Sequence, residues 1–439
     1  MPANYVLLER IELNASAASV TFANIPQSGY TDLKIVMSTR AADSANNWYA
    51  TKIQFNTDTT ASNYPYKVLY GFGSTVGSGS GNQYAGYIPS NARTANTFGN
   101  NEIYIPNYLS TTAKSFSTDT VTEGNGSSYE ILGFWAGQWS GTAAINQVVL
   151  SPDTGSWAAN STFSLYGLAA VGTTPVIAPK ASGGNRIDND GTYWYHTFTS
   201  TGAFVPNQSL SCETLTVGAG GGSGADASGG AAGGGGAGGV VYTSSVGISV
   251  NSYTVTIGAG GAAGASSGLQ GTSGANSSIT GGSLSLTASV GGGGGGAGVT
   301  NMNGLTGGSG GGGGGRSGTG GTGGAATSGQ GFAGGTGSNS SAAGAGGGGA
   351  GAVGGNGGSA SGGVGTATYS AWGAATVTGQ NVSGTYYYAG GGAGWVTGTG
   401  GSGGGGSQNV NGTANTGGGG GAYTGNGGSG IVIIRYPIA

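Results

Sequence analysis

Charge is what this chain has least of. Acidic and basic residues make up 6% of its 439 residues, against roughly 25% in ordinary globular domains. So little charge excludes a standard disordered chain, which stays solvated through charge. The net charge of −3 supplies no basic patch for a nucleic-acid backbone, so no nucleic-acid partner is expected. No polybasic amphipathic helix is present for a membrane surface. The longest strongly apolar run, "IVII" at 431 to 434, is too short to cross a bilayer, so no membrane insertion is expected. The opening "MPANYVLLERIEL" has neither a basic n-region nor an apolar h-region. A protein made in the cytoplasm and released without the secretory route is the expectation.

Cysteine and histidine are each present once, as Cys212 and His196. One cysteine excludes an internal disulfide, and the pair cannot make a structural zinc site. Both stand in strand-like contexts without a nucleophile signature, so structural roles are expected for them. "DNDG" at 188 to 191 fails as a calcium loop: with Gly191 sixth, Arg186 and Thr197 stand where acids belong. It reads as an Asp-Gly turn. No lysine follows Lys180, which removes the phosphate loop. G-x-G-x-x-G matches occur trivially in the glycine runs, with neither the helix nor the acid that dinucleotide binding needs. No metal and no cofactor are expected.

Glycine fills the space these absences leave, with 106 residues, about a quarter of the chain against a usual share of roughly 7%. It is unevenly placed. About 16 glycines fall before residue 181 and roughly 90 after it. The domains therefore read as a β-sandwich over 1–171, a linker over 172–190 ("GTTPVIAPKASGGN" and the turn after it), and a glycine-rich domain over 191–439.

The first half alternates with period two in "SVTFANI", "TDLKIVMSTR", "KIQF", "EIYI", "NQVVLSP" and "TFSLYGL". Such alternation gives one buried and one wet face. About ten short strands separated by turn clusters predict an antiparallel sandwich of jelly-roll character. Trp48, Trp135, Trp139 and Trp157 supply its core, or a sugar-stacking face. No helical stripe is evident.

In the second half, strand-like pieces interrupt the glycine: 193–206, 212–218, 240–245, 252–258, 283–290, 375–379, 385–390 and the closing "GIVIIRYPIA". An exposed "IVIIRY" would aggregate, so it needs a partner strand, for which "CETLTV" has the right character. Between these pieces, glycine loses much entropy on ordering and offers almost no side chain to bury. Polyproline II geometry, with three residues per turn and no internal hydrogen bonds, suits such runs. Glycine lets the helices approach until their N–H and C=O groups pair between helices. Collagen is excluded, because glycine does not recur strictly every third residue. The fold class is therefore all-β: a jelly-roll-like sandwich, then short strands and packed polyglycine II helices. Arg316, in "GGGGGRSGTGGTGG", belongs at an exposed edge or turn.

Polar or bulky islands stand within the glycine: "VTNMNGLTG", "SGQGFAGG" and "SQNVNGTANT". Asn301, Met302, Asn303, Gln330, Phe332, Gln408, Asn409 and Asn411 are harder to place among packed glycine helices than on loops, where recognition usually sits. They are the candidate receptor-binding residues, with mere chain reversal as the alternative. Tyr386, Tyr387, Tyr388 and Trp395 read as caps on the packed layers. Asp119, Glu123 and Glu130 are the carboxylates from which a glycosidase pair could be drawn.

"HTFTSTGAFVPNQSLSCETLTVGAGGGSG", "GGGGAGGVVYTSSVGISVNSYTVTIGAGG" and "GGSGIVIIRYP" resemble the glycine-rich domain of phage tail-fibre and virion structural proteins, notably of marine phages. "ASVTFANIPQSGYTDLKIVMSTRAADSANN", "NTFGNNEIYIPNY" and "STFSLYGL" are similar to a β-sandwich module common in that class. The resemblance implies a virion location, on tail or capsid, among other virion proteins. It implies host attachment through loops at one end of the domain, to a cell-surface glycan or outer-membrane protein. Fibres of that class are often trimeric, which makes a homotrimer the implied assembly, although no residue pattern sets a symmetry. A non-enzymatic tail-fibre tip or adhesin is the expected function. The alternatives are a capsid-surface fibre or decoration protein without receptor binding, and a polysaccharide depolymerase.

Overall fold

Period-two alternation becomes two packed sheets in the first of two compact units, Met1–Pro179 with Asn185–Trp194 and Ile438–Ala439. A computed structural model describes residues 5–23, 25–122, 130–170, 178–225, 230–266, 268–340, 342–395 and 398–438. The strands of this unit are β1 (Tyr5–Glu12), β2 (Val20–Phe22), β3 (Tyr30–Thr39), β4 (Trp48–Phe55), β5 (Pro65–Phe72) and β6 (Thr75–Asn82). They continue with β7 (Tyr84–Pro89), β8 (Gly99–Ile105), β9 (Lys114–Val121), β10 (Ile131–Trp139), β11 (Val148–Pro152) and β12 (Thr162–Ala169). One sheet runs from Arg186–Asn189 through β1, β12, β3, β8, β9, β10 and β5 to β6. The other has the order β2, β11, β4, β7. Neighbouring strands are antiparallel.

Leu33, Ile35, Ile103 and Ile105 from the larger sheet and Ile53, Phe55, Val148 and Leu150 from the smaller are wholly buried in one core. In β9 the pattern is strict: Lys114, Phe116, Thr118 and Thr120 point inward while Ser115, Ser117, Asp119 and Val121 point out. The result is an antiparallel β-sandwich of jelly-roll character, the fold that short amphipathic strands predict. Its tryptophans pack inward rather than forming a sugar-stacking face. Trp157 is fully buried and donates to the Leu150 carbonyl at 3.2 Å. Trp139 donates to Asp58 Oδ2 at 2.8 Å, which holds that carboxyl below its usual range. Trp135 is buried edge-on against Tyr87, and Trp48 is half-buried against the same ring.

Lys114 is buried and its ammonium, with three N–H groups, lies within hydrogen-bonding distance of four backbone carbonyls, of Ser110, Thr112, Thr142 and Ala143, at 2.6, 2.8, 3.1 and 2.6 Å. A charge taken from water needs such a full set of partners. β6, "TVGSGSGN", ends the larger sheet. Two of its glycines make room for rings of β5: a Cβ on Gly77 would lie 2.7 Å from the Tyr70 ring, and one on Gly81 2.8 Å from the Tyr66 hydroxyl, so the rings would have to move. Tyrosine rings from β5 thus roof the strand that lacks side chains.

Within the range read as a linker, strands form at Ala181–Ser182 and Arg186–Asn189, and the latter pairs with β1. Arg186 holds Asp188 through Nε, at 2.8 and 2.9 Å, and Glu9 through Nη2. Two carboxylates share one buried guanidinium, and burial pushes both carboxyls up. Asp190 accepts from the Thr192 and Tyr193 amides, and Gly191 has φ +85°. That is the Asp-Gly turn expected from "DNDG".

The second unit comprises Lys180–Gly184 and Tyr195–Pro437. Ile431–Pro437 pairs antiparallel with Leu210–Val217, from Val217 opposite Ile431 to Glu213 opposite Arg435. This gives "IVIIRY" the partner it needs. Val240–Ile248 covers the other edge of Leu210–Val217. "ATVTG" is not a strand. Ser370–Thr376 is a short helix that buries Trp372 and Thr376, and Val377 ends it in the left-handed region. Two turns are too few for a legible stripe.

Beyond Val217 the chain enters a glycine run in which every third residue faces the same neighbour. The amides of Gly218, Gly221 and Gly224 donate to Gly239, Gly236 and Gly233. Those of Ala219, Gly222 and Ala225 donate to Ala275, Thr272 and Leu269, and those of Gly220 and Ser223 to Gly428 and Gly425. The carbonyls of Ala219, Gly222 and Ala225 accept from Gly292, Gly295 and Gly298. Those of Gly220 and Ser223 accept from Gly261 and Gly264, and that of Gly221 from Gly420. A three-residue turn with no internal bonds is the polyproline II period. The run donates to three antiparallel neighbours and accepts from others that run parallel to it. Backbone pairing replaces a side-chain core, and only glycine permits this approach: a Cβ on Gly235 would stand 2.0 Å from the Gly221 carbonyl oxygen.

Candidate functional site

Successive runs reverse direction, so their connections collect at two opposite ends of the bundle. One end is where the strands enter, marked by Gly218, Gly239 and Gly430. Following the bonds between runs from there places Ala225 and the segments 264–266, 268–269, 298–304, 315–320, 338–340, 342–343, 356–360, 407–411 and 422–426 at the other end. Among the described residues, this remote face of short loops on a rigid scaffold is the candidate site.

Six of the eight candidate residues are there. Asn301 is exposed with φ +51°, and its Nδ2 donates to the Gly268 carbonyl at 3.3 Å. Met302 is half-buried, and its carbonyl accepts from Gly314 at 2.7 Å. Asn303 accepts from the Thr322 amide at 2.9 Å through Oδ1, while its carbonyl takes the Gln270 amide at 2.6 Å. Gln408 is half-buried, and Asn409 is exposed with φ +62°. Asn411 is exposed, and its Oδ1 accepts from the Asn426 amide at 2.8 Å.

These asparagines have a second role that composition does not reveal. Where a run turns back, its amide loses the neighbouring carbonyl, and an asparagine Oδ1 replaces it. Asn356 does this for Thr336 at 2.9 Å and Asn426 for Ala263 at 2.8 Å. The amide side chain thus ends the lattice as a capping residue ends an α-helix.

Gln330 and Phe332 lie at the opposite end, with the strands. Gln330 is buried: Oε1 accepts from Val290 at 2.8 Å, Nε2 donates to Ala288 at 3.1 Å, and its carbonyl takes Val240. It braces three segments and offers no free surface, which corrects its placement among binding-loop residues. Phe332 is 43% exposed, but on that other face and apart from the remaining six.

An aromatic pair completes the remote face. Trp395 and Tyr423 are half-buried and meet edge to face, with ring centroids 4.4 Å apart. Tyr423 has φ +80°, a conformation that a bulky side chain adopts only when its surroundings impose it. Trp395 was expected as a cap; Tyr423 was missed, and its signal is an isolated aromatic in "GGAYTGNGG". Arg316 is exposed at the end of the strand Gly315–Arg316, opposite Thr319 of the strand Thr319–Gly320. The face therefore offers amides, hydroxyls, one guanidinium and two rings.

Among the described residues, His196 and Cys212 are both buried. His196 Nδ1 lies 2.7 Å from the Gly183 carbonyl and so carries the proton, while Nε2 accepts from the Tyr436 hydroxyl at 2.9 Å. Burial pushes its pKa down to about 4. The buried Cys212 thiol is pushed up to about 12 by the same cause, so it is not a thiolate nucleophile. Asp119 is exposed on a sheet face opposite Glu102, whose carboxylate pairs with Lys34 at 2.7 Å. Glu130 is half-buried, and Glu123 lies outside the described residues. Among the described residues, no group of three or more His, Cys, Asp or Glu could hold a metal ion, and no helix is long and apolar enough to cross a membrane.

Residues 198–437, more than half of the chain, match the model of a family described as a glycine-rich domain. Comparison with the curated proteins finds no match.

Proposed function

This chain belongs to the glycine-rich domain family, and we propose that it is a bacteriophage virion structural protein, a tail-fibre tip or adhesin that binds the host surface. The reading rests on one observation: Asn301, Met302, Asn303, Gln408, Asn409 and Asn411 gather on short loops at one end of a bundle that needs no side chains to hold together. Amides beside two aromatic rings match the hydrogen-bonding and stacking surfaces of a glycan or of an outer-membrane protein loop. The sandwich unit is assigned to attachment within the particle, beside other virion proteins. No catalytic step is assigned to the chain.

The test is binding of labelled protein to bacterial cells and to arrayed surface glycans, with protection of those cells from infection. Replacing Gln408 by alanine and Asn409 by glycine should abolish binding with little change in melting temperature, because glycine keeps the positive φ of Asn409 and the Asn409 Oδ1 accepts only a long bond, 3.4 Å, from the exposed Thr424 hydroxyl. Saturating protein that binds no cell or glycan would overturn adhesion and leave a decoration role. Release of reducing ends from a bound polysaccharide, lost in Asp119→Asn, would establish a depolymerase.

A further inference from the structure

The larger sheet of the sandwich unit stops at β6, and among the described residues no strand pairs with its outer edge. An open edge presents unpaired amides and carbonyls, and proteins normally protect it with charge, proline or a bulge. β6 has none of these. "TVGSGSGN" contains no charged residue and no proline, and its register with β5 runs unbroken from Pro65 opposite Asn82 to Phe72 opposite Thr75. The strand is also poor in side chains, so little stands between its backbone and an approaching one.

The face beside that edge is apolar. Val76 is 87% exposed, Leu69 and Phe134 63% each, and Leu132 56%. They are neighbours in the sheet: Leu69 stands opposite Ser78 and Phe134, and Gly71 opposite Val76 and Leu132. This group flanks the edge on the sheet's outer face, and pairing along the edge leaves it uncovered, so such pairing rests on the edge itself.

The geometry points to a second copy of this chain as the occupant, with β6 pairing antiparallel to β6 about a two-fold axis at Gly79. The strand is complementary to itself in that register. Ser78 falls opposite the partner's Ser80, Gly77 opposite the partner's Gly81, and Val76 opposite the partner's Asn82. No charge meets a like charge, and small residues face each other along the seam. An edge is complementary to its own antiparallel image in hydrogen bonds, which makes a two-fold contact closed. The two larger sheets then join into one, and the two apolar patches lie on its common face. This contact goes beyond the adhesin reading and does not depend on it.

Sedimentation velocity on the full chain tests the pairing. The expected species has twice the 41.6 kDa of one chain, dissociating on dilution. In Ser78→Lys/Ser80→Lys each lysine faces a lysine of the partner across the seam, which should raise the dimer dissociation constant about tenfold or more. Ser78→Glu/Ser80→Glu should do the same alone, and an equimolar mixture of the two variants should recover the dimer, because lysine then faces glutamate. Ser117→Lys, on the same sheet face but three strands from the edge, should leave the dimer intact. Independently of any variant, amide exchange within 76–82 should slow as wild-type concentration rises. A wild-type monomer or trimer, or a dimer indifferent to the Ser78 and Ser80 variants, would overturn the proposal. So would failure of the charge-complementary mixture to associate.

Discussion

Gly235→Ala should be strongly destabilising. The added Cβ would stand 2.0 Å from the Gly221 carbonyl oxygen and 2.6 Å from its carbon. An ordinary carbon–oxygen contact needs about 3.3–3.6 Å, so the two runs must separate by roughly 1.3 Å. The bonds from Gly221 to Gly236 and from Gly224 to Gly233, at 2.9 and 3.0 Å, would then exceed hydrogen-bonding distance. Two lost bonds at about 0.5–1.5 kcal/mol each, with overpacking at about 1–3 kcal/mol, give roughly 2–6 kcal/mol. That is a large share of a typical stability of about 5–15 kcal/mol. Gly247→Ala is the control. Gly247 is exposed in the strand Val240–Ile248, and a Cβ there meets nothing within 4 Å. It should be neutral or stabilising by up to about 1 kcal/mol. Urea denaturation of both variants beside wild type measures the difference. Equal midpoints for Gly235→Ala and Gly247→Ala would refute close backbone packing as the source of cohesion.

Lys114→Met should destabilise the sandwich by roughly 3 kcal/mol or more, because it strips the donor from four carbonyls; thermal unfolding reads this. His196 is neutral when folded and titrates at about 4, against 6.5 ordinarily. Between those values the unfolded chain binds a proton that the folded one does not, so stability falls on acidification through this window. The loss is roughly 3 kcal/mol, and denaturation midpoints across pH should show a slope that His196→Gln removes. Cys212 should resist thiol reagents in the native protein and react only as fast as the chain opens, since its buried thiol titrates near 12; a thiol-labelling time course with and without urea checks it.

The strands were legible because alternation marks both faces of a sandwich and because "IVIIRY" could not be left bare. The glycine helices were legible by elimination, since no other backbone lets such runs satisfy their own amides. The neighbours of each run were not. A period of three exists at every position of a polyglycine stretch, so nothing in "GGGGGG" distinguishes one register or partner from another. The candidate site shows the same limit. "SGQGFAGG" and "SQNVNGTANT" look alike as islands, yet Gln330 and Gln408 lie at opposite ends. Each run reverses the chain, so the end on which an island falls depends on how many reversals precede it. Tyr423 was missed for a related reason: its partner Trp395 is remote in sequence, and only the common end of two runs brings the rings together.

The remote loops inherit a particular freedom from the way the runs are held. Each run keeps its position through backbone bonds to several neighbours, not through the loop that joins it to the next. A loop can therefore be lengthened, shortened or exchanged without moving the runs that flank it, provided an asparagine or equivalent acceptor remains to end the lattice. Selection can then act on each loop separately while the glycine interior stays fixed. The same property would make this end of the molecule a practical site for grafting foreign peptides, several at once and at spacings set by the lattice.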